Sequence, residues 1–174
     1  MQTKLSLKAR ALQLLAQRDQ SRVELRKKLL GHASRVASES GAEEDDGQTR
    51  CEEVEAVLDW LEAHRYLCAE RFAESRIHAR ESRFGNLRIK GELARHGVTL
   101  STAAARALAD TELQRAAVVR ERRFAAAPCD ASGWAAQSRF LAARGFSAEV
   151  IHRLMRQVRD AARSAGQSEP GEPA

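Results

Sequence analysis

Two helix endings with one shared pattern place the strongest constraint on the fold of this 174-residue chain. The segments "GELARHGV" at 91–98 and "RFLAARGF" at 139–146 each place a leucine four residues before a glycine, Gly97 and Gly145. Glycine can take the left-handed conformation that ends a helix, and the apolar residue after it then packs back on that leucine. Because the two endings lie 48 residues apart, they predict a helical repeat with one unit per roughly 50 residues.

Composition favours helices along the whole chain. Aromatic residues make up 5% of the sequence, a sustained alternating strand pattern is nowhere present, and the hydrophobic content of 43% is enough for a core. Periodic apolar segments and their caps predict nine helices in three sets of three. Each set is too small to bury its apolar face alone, so we expect an all-α, elongated array of three tandem three-helix repeats. The predicted repeats are 4–66, 67–110 and 111–163, followed by a disordered tail at 164–174.

The first predicted repeat differs from the other two at its second helix. The residues "SRVE" are typical of a capping box, in which Ser21 accepts a hydrogen bond from the backbone of Glu24 and the Glu24 carboxylate reaches back. Residues 31–50, "GHASRVASESGAEEDDGQTR", then hold one large apolar residue, Val36. We predict a mobile acidic loop there, inserted where the glycine cap of this set would stand.

The charge of the chain favours a polyanionic partner. The net charge is +5, from 29 basic and 24 acidic residues. Two groups of cations are candidates for binding phosphates or an acidic protein surface. They are Arg26, Lys27 and Lys28 in one group, and Arg76, Arg80, Arg83, Arg88 and Lys90 in the other, with Phe84 among them. A solvated helical face explains the same pattern, and the sequence leaves both interpretations open.

The sequence predicts no catalytic, metal or cofactor site. His64 and Cys68 are four residues apart, but a helix boundary is predicted between them and no third ligand lies nearby. The acidic run 43–46 lacks the glycine turn and ligand spacing of a calcium loop. A phosphate-binding glycine loop and a Ser/His/Asp signature are also missing. We therefore expect a protein that binds rather than reacts.

Cysteine usage and hydropathy indicate a cytoplasmic protein. Cys51, Cys68 and Cys129 form no CxxC pair, so we expect reduced, buried thiols. No apolar run approaches 18 residues, and the first 15 residues, "MQTKLSLKARALQLL", keep charges where a signal peptide needs a continuous apolar segment. Neither a membrane span nor a signal peptide is expected.

Three long segments together resemble the RecX family, the regulatory proteins of the RecA recombinase. They are "KARALQLLAQRDQSRVELRKKL", "VLDWLEAHRYLCAERFAESRIHARESRFGNLRIKGELARHGV" and "RFLAARGFSAEVI", and the resemblance runs from Leu7 to about Val158. It implies a monomeric, non-enzymatic array of three-helix repeats without a cofactor. The implied partner is the RecA filament on single-stranded DNA, whose growth, ATPase and strand exchange the protein restrains, with direct contact to the DNA left open.

Several positions depart from the family pattern. The family often has a glycine where Arg65 stands, an aspartate pair where Cys68 and Ala69 stand, and a proline near Asn86. These are turn and cap positions, so the departures concern local geometry. Two alternatives of other classes stay open: a general DNA-binding helical protein without RecA specificity, and a nuclease that uses the acidic loop.

Overall fold

The computed structural model describes residues 5–40 and 47–166 of the chain. Within these ranges it contains nine α-helices and no strand, so the prediction of an all-α chain with three sets of three helices is confirmed. The helices are α1 (Leu7–Gln17), α2 (Arg22–Ser40), α3 (Gly47–Ala63), α4 (Ala69–Glu81), α5 (Asn86–Arg95), α6 (Thr102–Asp110), α7 (Glu112–Glu121), α8 (Ala131–Ala143) and α9 (Ala148–Gly166).

The described residues form two compact units. The first unit holds the residues up to Arg76 together with Leu93–Thr99, and the second holds Ile77–Glu92 together with the residues from Leu100 onward. The middle set of helices, α4 to α6, is therefore divided between the two units. The predicted boundaries of three separate repeats stay a prediction.

The core of the first unit is built from the apolar faces of α1, α2 and α3. Gln20 lies beside this core with 2% of its surface exposed, and its amide donates a 2.7 Å hydrogen bond to the carbonyl of Leu14. A buried amide without a hydrogen-bond partner costs free energy. The hydrogen bond from Gln20 to Leu14 therefore fixes the turn between α1 and α2. The buried core residues are Ala11, Leu14, Leu25, Leu29, Val54, Leu58, Leu61 and Leu67.

The core of the second unit is built from α7, α8 and α9. The buried Arg120 guanidinium spans α7 and α8, because its Nε donates a 2.7 Å hydrogen bond to the side-chain oxygen of Gln137. Burial lowers the pKa of Arg120. The buried apolar residues around this pair are Ala116, Val119, Leu141, Phe146, Ile151, Leu154 and Met155.

Three helices end in the same Schellman geometry, with a left-handed residue after the last turn. The left-handed residues are Arg65 after α3 with φ 58°, Gly97 after α5 with φ 69° and Gly145 after α8 with φ 81°. Following each, an amide donates back to the carbonyl three residues inside the helix end: Tyr66 to Leu61 at 2.9 Å, Val98 to Leu93 at 3.0 Å and Phe146 to Leu141 at 3.2 Å. Among the described residues Arg65 is the one non-glycine with positive φ.

The predicted loop 31–50 is wrong over most of its length. Helix α2 continues to Ser40 and α3 begins at Gly47, while residues 41–46 lie outside the described residues. Extending an existing helix fixes one residue per hydrogen bond, so weakly apolar residues can propagate a helix that they would not nucleate. The side chain of His32 also bonds to the carbonyl of Leu5 at 3.1 Å, which holds this part of α2 against the start of the chain.

Two smaller predictions also need correction. The tail was expected from residue 164, but α9 extends to Gly166, and residues 167–174 lie outside the described residues. The thiols were expected to be buried, whereas Cys51 and Cys68 are half-buried and Cys129 is exposed.

Candidate interaction surfaces

The first predicted group of cations mostly serves to join α2 to neighbouring residues. Arg26 forms an ion pair with Glu55 of α3. Lys28 lies 3.2 Å from the Glu24 carboxylate and donates a 2.8 Å hydrogen bond to Gln20. Only Lys27 of this group is exposed without an ion pair within the described part of the chain. Three adjacent basic residues in sequence therefore do not make three cations available to a partner.

Arg22, which the sequence did not single out, makes three ion pairs in the first unit. Its guanidinium lies 2.6 Å from Glu55, 2.7 Å from Asp59 and 2.7 Å from Glu62, three carboxylates along α3. Burial disfavours the charged guanidinium, but the hydrogen bonds to Asp59 and Glu55 outweigh it and raise the pKa of Arg22. The acids on α3 are four and three residues apart, so they lie on one face of the helix. This spacing is the sequence signal that could have indicated a cation bound along that face.

Glu24 has a different role from the one that the capping box predicts. Its backbone amide donates to the Ser21 hydroxyl at 3.1 Å, as in a capping box. Its carboxylate, however, pairs with Arg18 and Lys28 and lies 3.9 Å from Arg76. Burial favours the neutral acid, yet the hydrogen bonds from Arg18 and Lys28 prevail and lower the pKa of Glu24. The carboxylate is therefore occupied by cations instead of reaching back.

The predicted row on α4 does not form one helical face. Helix α4 ends at Glu81, so Arg83 lies in the turn that follows it. Arg76 belongs to the first unit and is half-buried beside Glu24, whereas Arg80 and Arg83 belong to the second unit. The guanidinium of Arg80 lies 3.2 Å from the Glu92 carboxylate.

Three of the predicted arginines meet around one aromatic ring in the second unit, and we call them with that ring the Phe84 cluster. The guanidinium carbons of Arg80, Arg83 and Arg88 lie 5.9, 5.7 and 4.5 Å from the centre of the Phe84 ring. These distances fall within the range of cation–π attraction. Arg83 and Arg88 are exposed and Phe84 is half-buried, so the cluster offers two accessible cations beside an aromatic surface. Lys90 is exposed on α5 but projects from another side of that helix.

A close approach between two backbone segments holds the Phe84 cluster in place. The amide of Gly85 donates to the carbonyl of Arg144 at 3.0 Å, and the amide of Leu87 donates to the carbonyl of Gly145 at 3.0 Å. A Cβ added at Gly85 would lie 2.3 Å from the Gly145 carbonyl oxygen. Glycine is thus required where the start of α5 meets the end of α8.

The buried side of the same turn is fixed by Arg115 of α7. Its guanidinium donates to the carbonyls of Phe84 at 2.9 Å, Glu81 at 3.3 Å and Leu108 at 3.0 Å, and burial lowers its pKa. The Glu112 carboxylate accepts from the amide of Asn86 at 2.9 Å. Sequence reasoning missed this network, because its acceptors are mainly backbone carbonyls, which leave no pattern in a sequence.

Neither a metal site nor a membrane-spanning helix is found in residues 5–40 and 47–166. Within these ranges no group of three or more His, Cys, Asp or Glu side chains is placed to hold a metal ion. A helix with the length and hydropathy needed to cross a bilayer is also absent from them. The acidic run at 43–46 lies outside the described residues, so its predicted character stays a prediction.

Comparison with known proteins identifies the family. The chain is 44% identical over 154 residues to the regulatory protein RecX of Ralstonia nicotianae, a match that covers 87% of each chain. The chain belongs to the RecX family. The RecX proteins of Herbaspirillum seropedicae, at 44% identity over 156 residues, and Neisseria meningitidis, at 32% over 162 residues, match it over 88% and 92% of its length and over 89% and 95% of their own. No family model matches the chain.

A solved structure of the family has the same fold. The crystal structure of RecX from Lactobacillus salivarius matches with a TM-score of 0.61, covering 88% of this chain and 94% of the other, at 15% identity. The helices described above therefore share the fold of that RecX structure. The resemblance inferred from the three sequence segments is confirmed by these relatives.

Proposed function

We propose that this RecX-family protein is a non-enzymatic inhibitor of the RecA recombinase. It binds RecA filaments on single-stranded DNA and limits their growth, ATPase and strand exchange. The observation that carries this proposal is the match to curated RecX regulatory proteins at 44% identity over nearly the whole chain. Since RecA acts on DNA in the cytoplasm, a cytoplasmic location follows from the proposal.

The Phe84 cluster is the surface that we assign to the filament. Arg83 lies in the turn after α4 and Arg88 in the first turn of α5; both are exposed and make no ion pair within the described residues. Two backbone hydrogen bonds and Arg115 fix this part of the backbone. A cation on an already fixed backbone loses side-chain freedom but little backbone freedom when it meets a carboxylate or phosphate. These two cations can therefore bind the carboxylates of an acidic protein surface or the phosphates of a nucleic acid.

RecA ATPase on single-stranded DNA tests the proposal, measured over a titration of this protein. We expect inhibition at fewer molecules of this protein than of RecA, because an agent that limits filament growth need not cover every subunit. Full ATPase at a saturating concentration would contradict the proposal. A loss of activity that matched RecA one to one would indicate simple coating of the filament.

Two double variants test the assigned surface. Arg83→Ala with Arg88→Ala removes the accessible cations of the Phe84 cluster, and the matched control, Arg106→Ala with Arg153→Ala, removes two exposed arginines elsewhere in the same unit. We expect the first pair to weaken inhibition at least about tenfold and the control to change it less than about threefold, since removed charges matter where they meet a polyanion. Equal effects of the two pairs would show that only net charge matters.

A general DNA-binding protein is the second candidate, favoured by the exposed cations beside aromatic rings. Binding to RecA filaments, measured against equal amounts of bare single-stranded DNA, separates the two functions. The inhibitor prefers the filament, and a general DNA-binding protein does not.

A further inference from the structure

A stack of three aromatic rings lies on the first unit and includes His64, which was considered above only as a metal ligand. The rings of Trp60 and His64 have their centres 4.1 Å apart at an angle of 27°, and those of Trp60 and Tyr66 lie 5.6 Å apart at 20°. The Lys8 ammonium lies 3.2 Å from the centre of the Trp60 ring. We call Lys8, Trp60, His64, Arg65 and Tyr66 the aromatic platform.

The rings of the platform are held in position by their own backbone. The Nδ1–H of His64 donates to the Trp60 carbonyl at 2.8 Å, which fixes the histidine ring over the indole. The amide of Tyr66 donates to Leu61, and the carbonyl of Tyr66 accepts a 2.8 Å hydrogen bond from Arg71. Tyr66 nevertheless keeps 48% of its surface exposed, so it is rigid and open at the same time.

Arg65 carries a backbone conformation that an arginine adopts at a cost. Its φ of 58° lies in the left-handed region, where glycine is relaxed and a Cβ is strained. Such strained residues cluster at functional sites, and this one places an exposed cation directly beside the exposed Tyr66. The cap thus holds a cation next to Tyr66 at a cost that a glycine would not carry.

The charge around the platform favours an anionic ligand. Two carboxylates close to Trp60 along α3, Asp59 and Glu62, are both paired with Arg22. Lys8 and Arg65 make no ion pair within the described residues. Parallel rings with adjacent unpaired cations are the arrangement on which unstacked bases lie while their phosphates meet the cations.

We propose that the aromatic platform binds single-stranded nucleic acid, with a base stacked on Tyr66 and the adjacent phosphate on Arg65. The ligand is single-stranded because a base paired in a duplex does not expose its face to a ring. The site acts in the free protein and does not depend on contact with RecA.

Fluorescence anisotropy tests the platform with the full chain and a labelled oligothymidylate of about 20 nucleotides, longer than a typical stacking site. A duplex of equal length is the comparison ligand. We expect Tyr66→Ala to weaken binding of the single strand about fivefold or more and to leave duplex binding unchanged, because only a stacked base is lost. A single-strand affinity unchanged by Tyr66→Ala, or an equal loss with the duplex, would overturn the proposal.

Arg65→Gly is a second variant that keeps the helix end intact, since glycine takes this φ without strain. We expect the slope of log affinity against log salt to fall by about 0.7, the value for one lost contact with a single-stranded phosphate. Arg106→Ala removes one exposed arginine of the second unit and is the control, for which the slope should stay the same. Equal slopes for Arg65→Gly and the unchanged protein would remove Arg65 from the site.

Tryptophan fluorescence reports on the platform directly. The chain has two tryptophans, so a Trp134→Phe background leaves Trp60 as the only one. The oligothymidylate should quench its fluorescence, and the quenching should disappear with Tyr66→Ala. If Tyr66→Ala weakens RecA inhibition while oligonucleotide binding and quenching persist, the platform faces protein and the proposal fails. Loss of oligonucleotide binding with RecA inhibition intact supports the platform and separates it from the proposed inhibition.

Discussion

Gly97 and Gly145 end their helices with the same backbone conformation in different surroundings. A Cβ at Gly97 would meet only the side chain of Val23, at 3.2 Å, and Val23 is half exposed and can move. A Cβ at Gly145 would lie 2.7 Å from the backbone nitrogen of Arg88, which cannot move without α5. The same motif therefore leaves space for a Cβ at Gly97, at the cost of a strained backbone, and leaves none at Gly145.

We expect Gly97→Ala to lower the free energy of unfolding by about 1 kcal/mol, the cost of a left-handed alanine. Gly145→Ala should lower it by about 3 kcal/mol or more, because the backbone overlap adds to the same strain. Urea denaturation followed by circular dichroism measures both values. Equal losses would show that the end of α8 can move away from α5 at little cost.

The sequence predicted the residues of these caps because each cap is a local pattern. A leucine, a glycine four residues later and an apolar residue after it specify the hydrogen bonds seen at Leu93, Gly97 and Val98. The equivalent end at Arg65 was noted only as a departure from the family. Leu61 stands four residues before Arg65, as in the other two endings, but an arginine replaces the glycine that marks a left-handed cap in a sequence.

At the scale of helices, α2 is held by charge as well as by apolar packing, because Glu55 links it to α3 and Glu24 links it to the turn before it. Glu24 and Glu55 accept ion pairs from α2 or from the turn before it. The hydrogen bonds from Arg26 and Arg22 lower the pKa of Glu55, as those from Arg18 and Lys28 lower that of Glu24. In the unfolded chain both carboxyls return to a pKa of about 4.3.

Acid should therefore weaken the ion pairs that hold α2. A carboxyl whose pKa is lower in the folded protein adds stability above its unfolded pKa, and that stability is lost as the pH falls from about 4.3 through the folded value. We expect Glu24→Gln to be less stable than the unchanged protein at pH 7 and to lose less stability between pH 6 and pH 3. The control is Glu53→Gln, an exposed carboxylate on α3. Parallel stability curves for Glu24→Gln and the unchanged protein would contradict the assignment.

Helix boundaries followed from the sequence where a cap or a strong apolar stripe marks them. The same method failed at 31–40, because no residue there packs strongly enough to show a period, although α2 runs through them. Half-buried small residues such as Ala33 and Ala37 line that part of the helix. The ion pairs of Arg22 were missed because their partners lie 33 to 40 positions away.

At the scale of the whole molecule, the sequence identified the family because three long segments match in order. The candidate surface was predicted only in part. Arg83 and Arg88 are exposed beside Phe84, but Arg26 and Lys28 are occupied by ion pairs or hydrogen bonds, and Arg76 lies in the other unit. The sequence shows where the cations are, but a cation is available to a partner only if folding does not bring a carboxylate close to it.

The sign of the charge at the Phe84 cluster should govern the proposed inhibition. We expect Arg88→Glu to weaken inhibition of the RecA ATPase more than Arg88→Ala, and the gap to be larger at 50 mM than at 200 mM salt, since salt screens exposed charges. Circular dichroism must show equal helix content in both variants. A gap that does not change with salt would indicate that Arg88 acts through packing.

The backbone contact between Gly85 and the end of α8 has a consequence for how the sequence can change over generations. With the added Cβ only 2.3 Å from the Gly145 oxygen, no side chain fits at position 85 unless the end of α8 shifts. A relative that carries alanine at this position should therefore show compensating changes around positions 144–146. The two segments lie about 60 positions apart in the chain. Because their backbones touch, a substitution in one segment should be accompanied by a substitution in the other.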